Sequence, residues 1–482
     1  MAEGSKTVTP KQIAEVGVSR LGLPIPMVKL MTIQAIAQAL ADESLKETFA
    51  SAAIEWIAER ELESECLEML CCLLVARPDP DLLNRFRQAI RRPSIASDMM
   101  LSLAAASALP PAWSGCHSGP APERMQLDIE ELDLCSGTFI PPLFTQELQA
   151  LQRTFGFPLI RQWSFEYKIL NERCHNNSDG HLSYFCGQER ENEGQFVARR
   201  SHLARSAFLR VLAYAVEQWK MPAHLARHFA SLALPSEPIF LKLSPQDPPS
   251  WAFSVQRRPA TEIADAQAMV SGLLRRIEDE GQRRTMHCSL TVVDTPLIHV
   301  DLEVFAIART HEDVEPQSVI NFYQYLVGKF TPLRDKMRAF ISPEIESDIA
   351  RELCFAPIVL PLIGPHLGYL QSDLVVRTPY IPISTRNVFA LELVTDLNGA
   401  ALHLDGEKVG EWFWWLWNWN PTHPKDWLTP IGCHTCLTSA VAEQIAVDAG
   451  GPIEQVWKLT IWERKKNYEE WRSRTEFGRV RP

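Results

Sequence analysis

After Pro238 the spacing of apolar residues changes period, and that switch bounds the fold more tightly than any other feature of the chain. Before it, apolar residues recur every three or four positions, as on a helix with one buried stripe. After it, short runs alternate, as in strands whose side chains point to opposite faces. Helices grouped first and tight antiparallel turns grouped later predict an α+β multidomain protein, with no doubly wound sheet.

The first 110 residues are punctuated like a series of short helices. Thr9-Pro10-Lys11-Gln12 combines an N-cap, a first-position proline and a glutamine three residues on, and Ser44-Leu45-Lys46-Glu47 repeats that logic. Phe49, Ala53, Trp56 and Ile57 then fall on one stripe, which Leu67, Leu70, Cys71 and Leu74 continue up to the break at Arg77-Pro78-Asp79-Pro80. A helical N-terminal module over 1–110 is expected, either a bundle or a solenoid-like array. No repeat consensus is present, so the bundle is the simpler expectation. Residues 109–124 concentrate proline, glycine and serine and read as a linker. A mainly helical middle region over 125–235 follows. Its strongest element, 201–219, has an apolar face of Ala204, Phe208, Val211, Leu212, Ala215, Val216 and Trp219, with His202, Arg205 and Arg210 on the other side.

From 236 to 482 the pattern is that of an α+β domain. Ile239–Leu243 and Trp251–Val255 read as a hairpin, and Ser289–Val293 and Leu297–Ala308 flank an Asp294-Thr295-Pro296 turn. Helices are expected over 260–283, 315–329 and 343–353. Asn398-Gly399 and Asp405-Gly406 join three runs, 387–395, 400–404 and 408–412, into an antiparallel meander. A helix over 438–448, a last strand over 456–462 and a charged tail complete the reading.

Composition narrows the function classes. A net charge of -11 weighs against a surface that coats nucleic acid generally. Eleven scattered cysteines suit a reducing compartment better than a disulfide framework, and Met1–Lys6 lacks the basic-then-apolar order of a signal peptide. A cytoplasmic protein with no membrane partner is expected. Phosphate-cradling loops, the dinucleotide glycine fingerprint, the paired-histidine zinc helix and the serine elbow are all missing from the sequence.

Several constellations remain. His299, Asp301 and Glu303 share one face of an alternating strand, where a histidine and two carboxylates can hold a metal ion or act as acid and base; the bland alternative is a strand's solvated face. Cys433 and Cys436, with His423 upstream, offer zinc ligands, although a closed zinc site needs a fourth. Otherwise no cofactor is expected. Arg199, Arg200, Arg205 and Arg210 read as a basic surface for phosphate contacts. Most unusual, nine of the 14 tryptophans lie between 412 and 471. Trp412, Trp414, Trp415, Trp417 and Trp419, beside Asn418 and Asn420, are either a recognition surface or a core plug under the meander.

These readings point first to a non-catalytic intracellular adaptor or regulatory protein that recognises another protein through the Trp-rich domain and the helical module. One alternative is a metal-dependent hydrolase using His299, Asp301 and Glu303. A second is a nucleic-acid-binding component that stacks bases on tryptophan.

Overall fold

The computed structural model describes residues 8–481 apart from 24–25, 126–141, 175–198, 253–264, 282, 311–313, 331–353, 362–377, 383–390, 397–398 and 417–430. Among the described residues, those up to Leu241 form one compact unit and those from Lys242 onward form another. The class is α+β: N-terminal helices, a helical middle, then a C-terminal antiparallel sheet.

The first unit contains α1 (Pro10–Ser19), α2 (Pro26–Ala41), α3 (Lys46–Ala58), α4 (Glu65–Ala76), α5 (Pro80–Ala89), α6 (Ile95–Ala104), α7 (Pro142–Phe155), α8 (Leu159–Arg173), α9 (Arg199–Trp219) and α10 (Ala223–Ala230). Helix α1 opens on the capping box read from its residues: the Gln12 amide donates to the Thr9 hydroxyl at 3.3 Å, and the Thr9 amide donates to Gln12 Oε1 at 3.0 Å. The second box does not form. Ser44 donates to Asp42 Oδ1 at 2.6 Å, so Leu45 sits at the cap of α3 without a side-chain bond. Every side chain of α4 from Cys66 to Leu73 is buried, which makes it an interior helix with no solvated face.

Residues on both sides of 109–124 belong to one apolar core that runs from Ala14 to Leu241. The expected linker is instead a strap hydrogen-bonded to helices. Ala112 N–H donates to Asp98 at 2.6 Å, Ser118 N–H to Glu166 at 2.7 Å and Ala121 N–H to Gln162 at 2.9 Å, while His117 meets Glu217 at 2.8 Å. Proline and glycine correctly signal irregular backbone here; they do not signal a gap in the core.

The second unit is built on an antiparallel sheet. In chain order its strands are β1 (Arg283–Asp294), β2 (Ile298–Arg309), β3 (Phe355–Pro357), β4 (Val359–Pro361), β5 (Tyr380–Pro382), β6 (Glu392–Asp396), β7 (Gly399–Leu404), β8 (Glu407–Leu416), β9 (Ile431–Thr438), β10 (Ile453–Glu463) and β11 (Arg472–Val480). Their spatial order is β11-β10-β2-β1-β9-β8-β7-β6, with β3 on the end of β2 and β4-β5 as a separate pair. Helices α11 (Ala266–Gly281), α12 (Pro316–Phe330) and α13 (Ser439–Ala449) complete the unit.

The meander forms as β6–β7–β8, and Asp405 and Gly406 take the φ values of 52° and 84° that a type I′ turn needs. Two expectations are corrected. The hairpin of 239–255 is absent from its described part, where Pro238–Phe240 is a 3-10 turn and Trp251 and Ala252 are buried against the sheet core. The charged tail contains a further strand, because β11 pairs with β10 along its whole length.

One sheet face packs Cys288, Leu290, Leu302, Val304 and Leu459 against Val270, Leu273 and Leu274 of α11. On the other, Phe305 stacks on Tyr323 of α12 at 4.2 Å and meets Tyr380 edge-on. Twice, a tryptophan lies across a glycine on the next strand. A Cβ on Gly432 would stand 2.1 Å from the Trp415 ring, and one on Gly478 2.2 Å from the Trp457 ring. Both pairs are in register, so each glycine is the space its tryptophan occupies.

Candidate functional site

His299, Asp301 and Glu303 do share one face of β2, and their neighbours form polar rows across three strands. Asp294 and Trp462 flank His299, Thr291 and Thr460 flank Asp301, and Ser289 and Lys458 flank Glu303. Asp294 joins this face only because a bulge between Thr291 and Val293 reverses the alternation of β1. Strict period-two reading points Asp294 the other way, so sequence reasoning missed it.

The geometry makes His299 a cation held by acids. Its Nδ1 lies 3.3 Å from Asp294 and its Nε2 3.4 Å from Asp301, while the Thr291 hydroxyl donates to Asp301 at 2.8 Å. Burial alone would lower the imidazole pKa, but the hydrogen bonds and charges of the two carboxylates raise it to about 9. At neutral pH the ring is an imidazolium with both nitrogens donating, a state that neither ligates a metal nor accepts a proton. Glu303 lies two residues along on the same face. The arrangement can bind charge, and it ties β1, β2 and β10 together.

A pH dependence follows. The folded pKa lies above the ordinary histidine value near 6.5, so the stabilisation is complete below pH ~6.5 and is lost as pH rises toward ~9. Wild type should exceed His299→Gln in stability by about 1–3 kcal/mol at pH 6, and the difference should shrink through pH 9 in urea titrations.

The other candidates fall elsewhere. Cys433 and Cys436 lie on strand β9, not on a turn, and their spacing of three puts them on opposite sheet faces. Cys433 Sγ stands 3.9 Å from His287 Nδ1, whereas Cys436 Sγ accepts from Arg283 at 3.8 Å. His423 lies outside the described residues. Among the described residues, no group of three His, Cys, Asp or Glu side chains is placed to hold a metal ion.

Trp412, Trp414 and Trp415 are buried, at 0%, 4% and 0% exposure, on both faces of β8. In this chain they are core. Trp415 packs edge-on against Trp251 at 5.4 Å, and Trp412 is in register between Ala400 and Thr435. Trp417, Asn418, Trp419 and Asn420 lie outside the described residues. From Trp412 to Trp415 the aromatic density reflects a strand that packs on both faces, so composition alone could not separate plug from platform.

The basic surface is corrected most clearly. Arg205 and Arg210 are buried at 0% and 4% exposure, and Arg199 is largely covered, paired with Glu65 and lying 3.9 Å from Glu61. Arg210 is 2.6 Å from Glu63 and 3.5 Å from Glu166, both buried. Nearby, Glu68 meets Lys29 at 3.3 Å and His202 at 3.8 Å in the interior, and burial, with help from the Arg205 charge, holds His202 well below its ordinary pKa. Arg210 and Lys29 thus sit directly against interior acids. Of Arg200, only its place at the start of α9 is described.

No protein-family model matches the chain, and no curated protein is significantly similar to it.

Proposed function

We propose that this chain is a cytoplasmic, non-catalytic adaptor or regulatory protein that works by recognising another protein, and that its helical module carries the principal contact. The observation that supports this reading is the outer face of α1. Ala14 and Val18 point inward and are buried, yet Ile13 and Val16 on the opposite face are 55% and 65% exposed. The two are three residues apart and therefore adjacent on the helix surface, with Val8 and Leu23 also exposed at 66% and 43%. A surface helix ordinarily turns polar residues outward; apolar ones on both sides suit a helix covered by a partner. Cys66, Cys71, Cys72, Cys116, Cys174 and Cys436 are free thiols, in keeping with a reducing compartment. No described helix is long and apolar enough to cross a membrane.

The metal-dependent hydrolase reading retains only the shared face of His299, Asp301 and Glu303, and the imidazolium at its centre weighs against it. The nucleic-acid reading is weakened, since Arg205 and Arg210 are buried and Arg199 is paired with Glu65.

Ile13→Asp/Val16→Asp tests the adaptor reading. Both positions are exposed, so stability should change by less than about 0.5 kcal/mol. Quantitative affinity purification of the tagged full chain from its own cells should lose at least one specific partner. Recovery of an unchanged partner set, with folding intact, would exclude α1 as the contact.

A further inference from the structure

Strand β11 ends the sheet, and among the described residues no strand pairs with its outer edge. Which backbone groups face outward follows from the neighbouring bonds. Pro452 accepts from Arg309 and Arg464 donates to Leu297, so even-numbered residues of β10 direct their backbone groups to β2. Odd-numbered ones then bond to β11, through partners Gly478, Glu476, Arg474 and Arg472. That leaves Ser473, Thr475, Phe477 and Arg479 with N–H and C=O directed outward. The Arg479 carbonyl already accepts from the Gln267 side chain at 2.8 Å, in keeping with that assignment. The open stretch is therefore Ser473 to Phe477.

This edge is basic in an acidic protein. Between Arg464 and Pro482 stand seven Lys and Arg against three Glu, in a chain of net charge -11. At one end, exposed Arg472 and Arg474 sit on the strand, Arg474 lying 3.6 Å from Glu463 and 3.8 Å from Glu476. At the other, Arg309, Arg479 and Arg481 lie 3.2, 3.9 and 3.5 Å from the single buried carboxylate of Glu454, which leaves excess positive charge there. A second copy fits poorly: antiparallel self-pairing would set the segment 472–481, with four arginines against one glutamate, along an identical net-positive segment.

We propose that β11 is a strand-addition site for an acidic extended segment of a partner protein. Backbone bonds to Ser473, Thr475 and Phe477 would supply the pairing, and the arginines at both ends would select acidic side chains. The site shares no residue with α1, so either reading can fail alone.

The test uses the full chain and two fluorescent peptides of about eight residues, one alternating Glu with Val and the other Lys with Val. The acidic peptide should bind roughly tenfold or more tightly than the basic one, and less tightly as salt rises. Thr475→Pro should abolish its binding without loss of fold, because proline there removes only an outward N–H. Arg472→Gln/Arg474→Gln, which leaves the backbone intact, should weaken it severalfold. Hydrogen exchange at Ser473, Thr475 and Phe477 should slow when the acidic peptide is bound. Equal affinity for the two peptides, binding to neither, or full binding by the arginine variant would overturn the proposal. So would dimerisation in sedimentation that Thr475→Pro removes, which would assign the edge to a second copy.

Discussion

Replacing Arg210 by Met is expected to destabilise the helical unit by about 3–5 kcal/mol, because it strands two buried carboxylates without their cation. Glu63 and Glu166 are 2% and 0% exposed and both face that guanidinium. Burial already holds the Glu63 pKa above its ordinary value even with Arg210 present, and removing the cation raises it further. The loss should therefore be larger at pH 8 than at pH 5, where the stranded Glu63 accepts a proton. Hydrogen exchange of α4 and α9 reads this unit apart from the sheet, as two units need not unfold together. Adding Glu63→Gln should recover part of the loss. An unchanged exchange pattern in Arg210→Met would show that the pair is solvated.

Trp412→Ala and Trp415→Ala should each cost about 3–5 kcal/mol, despite pointing to opposite faces of β8. Trp412 and Trp415 are both wholly buried, and Trp415 fills the space over Gly432. A recognition surface would behave otherwise, with one parity tolerant of truncation and the other not. Chemical denaturation followed by hydrogen exchange of the sheet strands checks this. Native protection in either variant would place that ring outside the core. Gly432→Ala should also destabilise the sheet, since its Cβ has no room beside the ring.

What could be read from residues alone is what local chemistry dictates. The α1 capping box, the strand pair β1 and β2, the Asp405-Gly406 turn and the shared face of His299, Asp301 and Glu303 all follow from spacings of two to four residues. A helix or hairpin satisfies its backbone within a few positions, so its signal is local. The α+β class follows in turn from the order of those elements.

Partnership, burial and charge state were decided by tertiary structure. Arg210 looks solvated on a helical wheel, and only the approach of Glu63, 147 residues away, makes it interior. Asp294 turns toward His299 through a bulge that no pattern announces. Strand β11 reads as a charged tail because an edge strand with one side open carries little apolar alternation, and β10 supplies its pairing. The tryptophans show the same division most plainly. Their clustering is a fact of the sequence, but whether a ring meets solvent or Gly432 depends on which strand lies beside it, and strand pairing is a long-range choice that residue spacing does not encode.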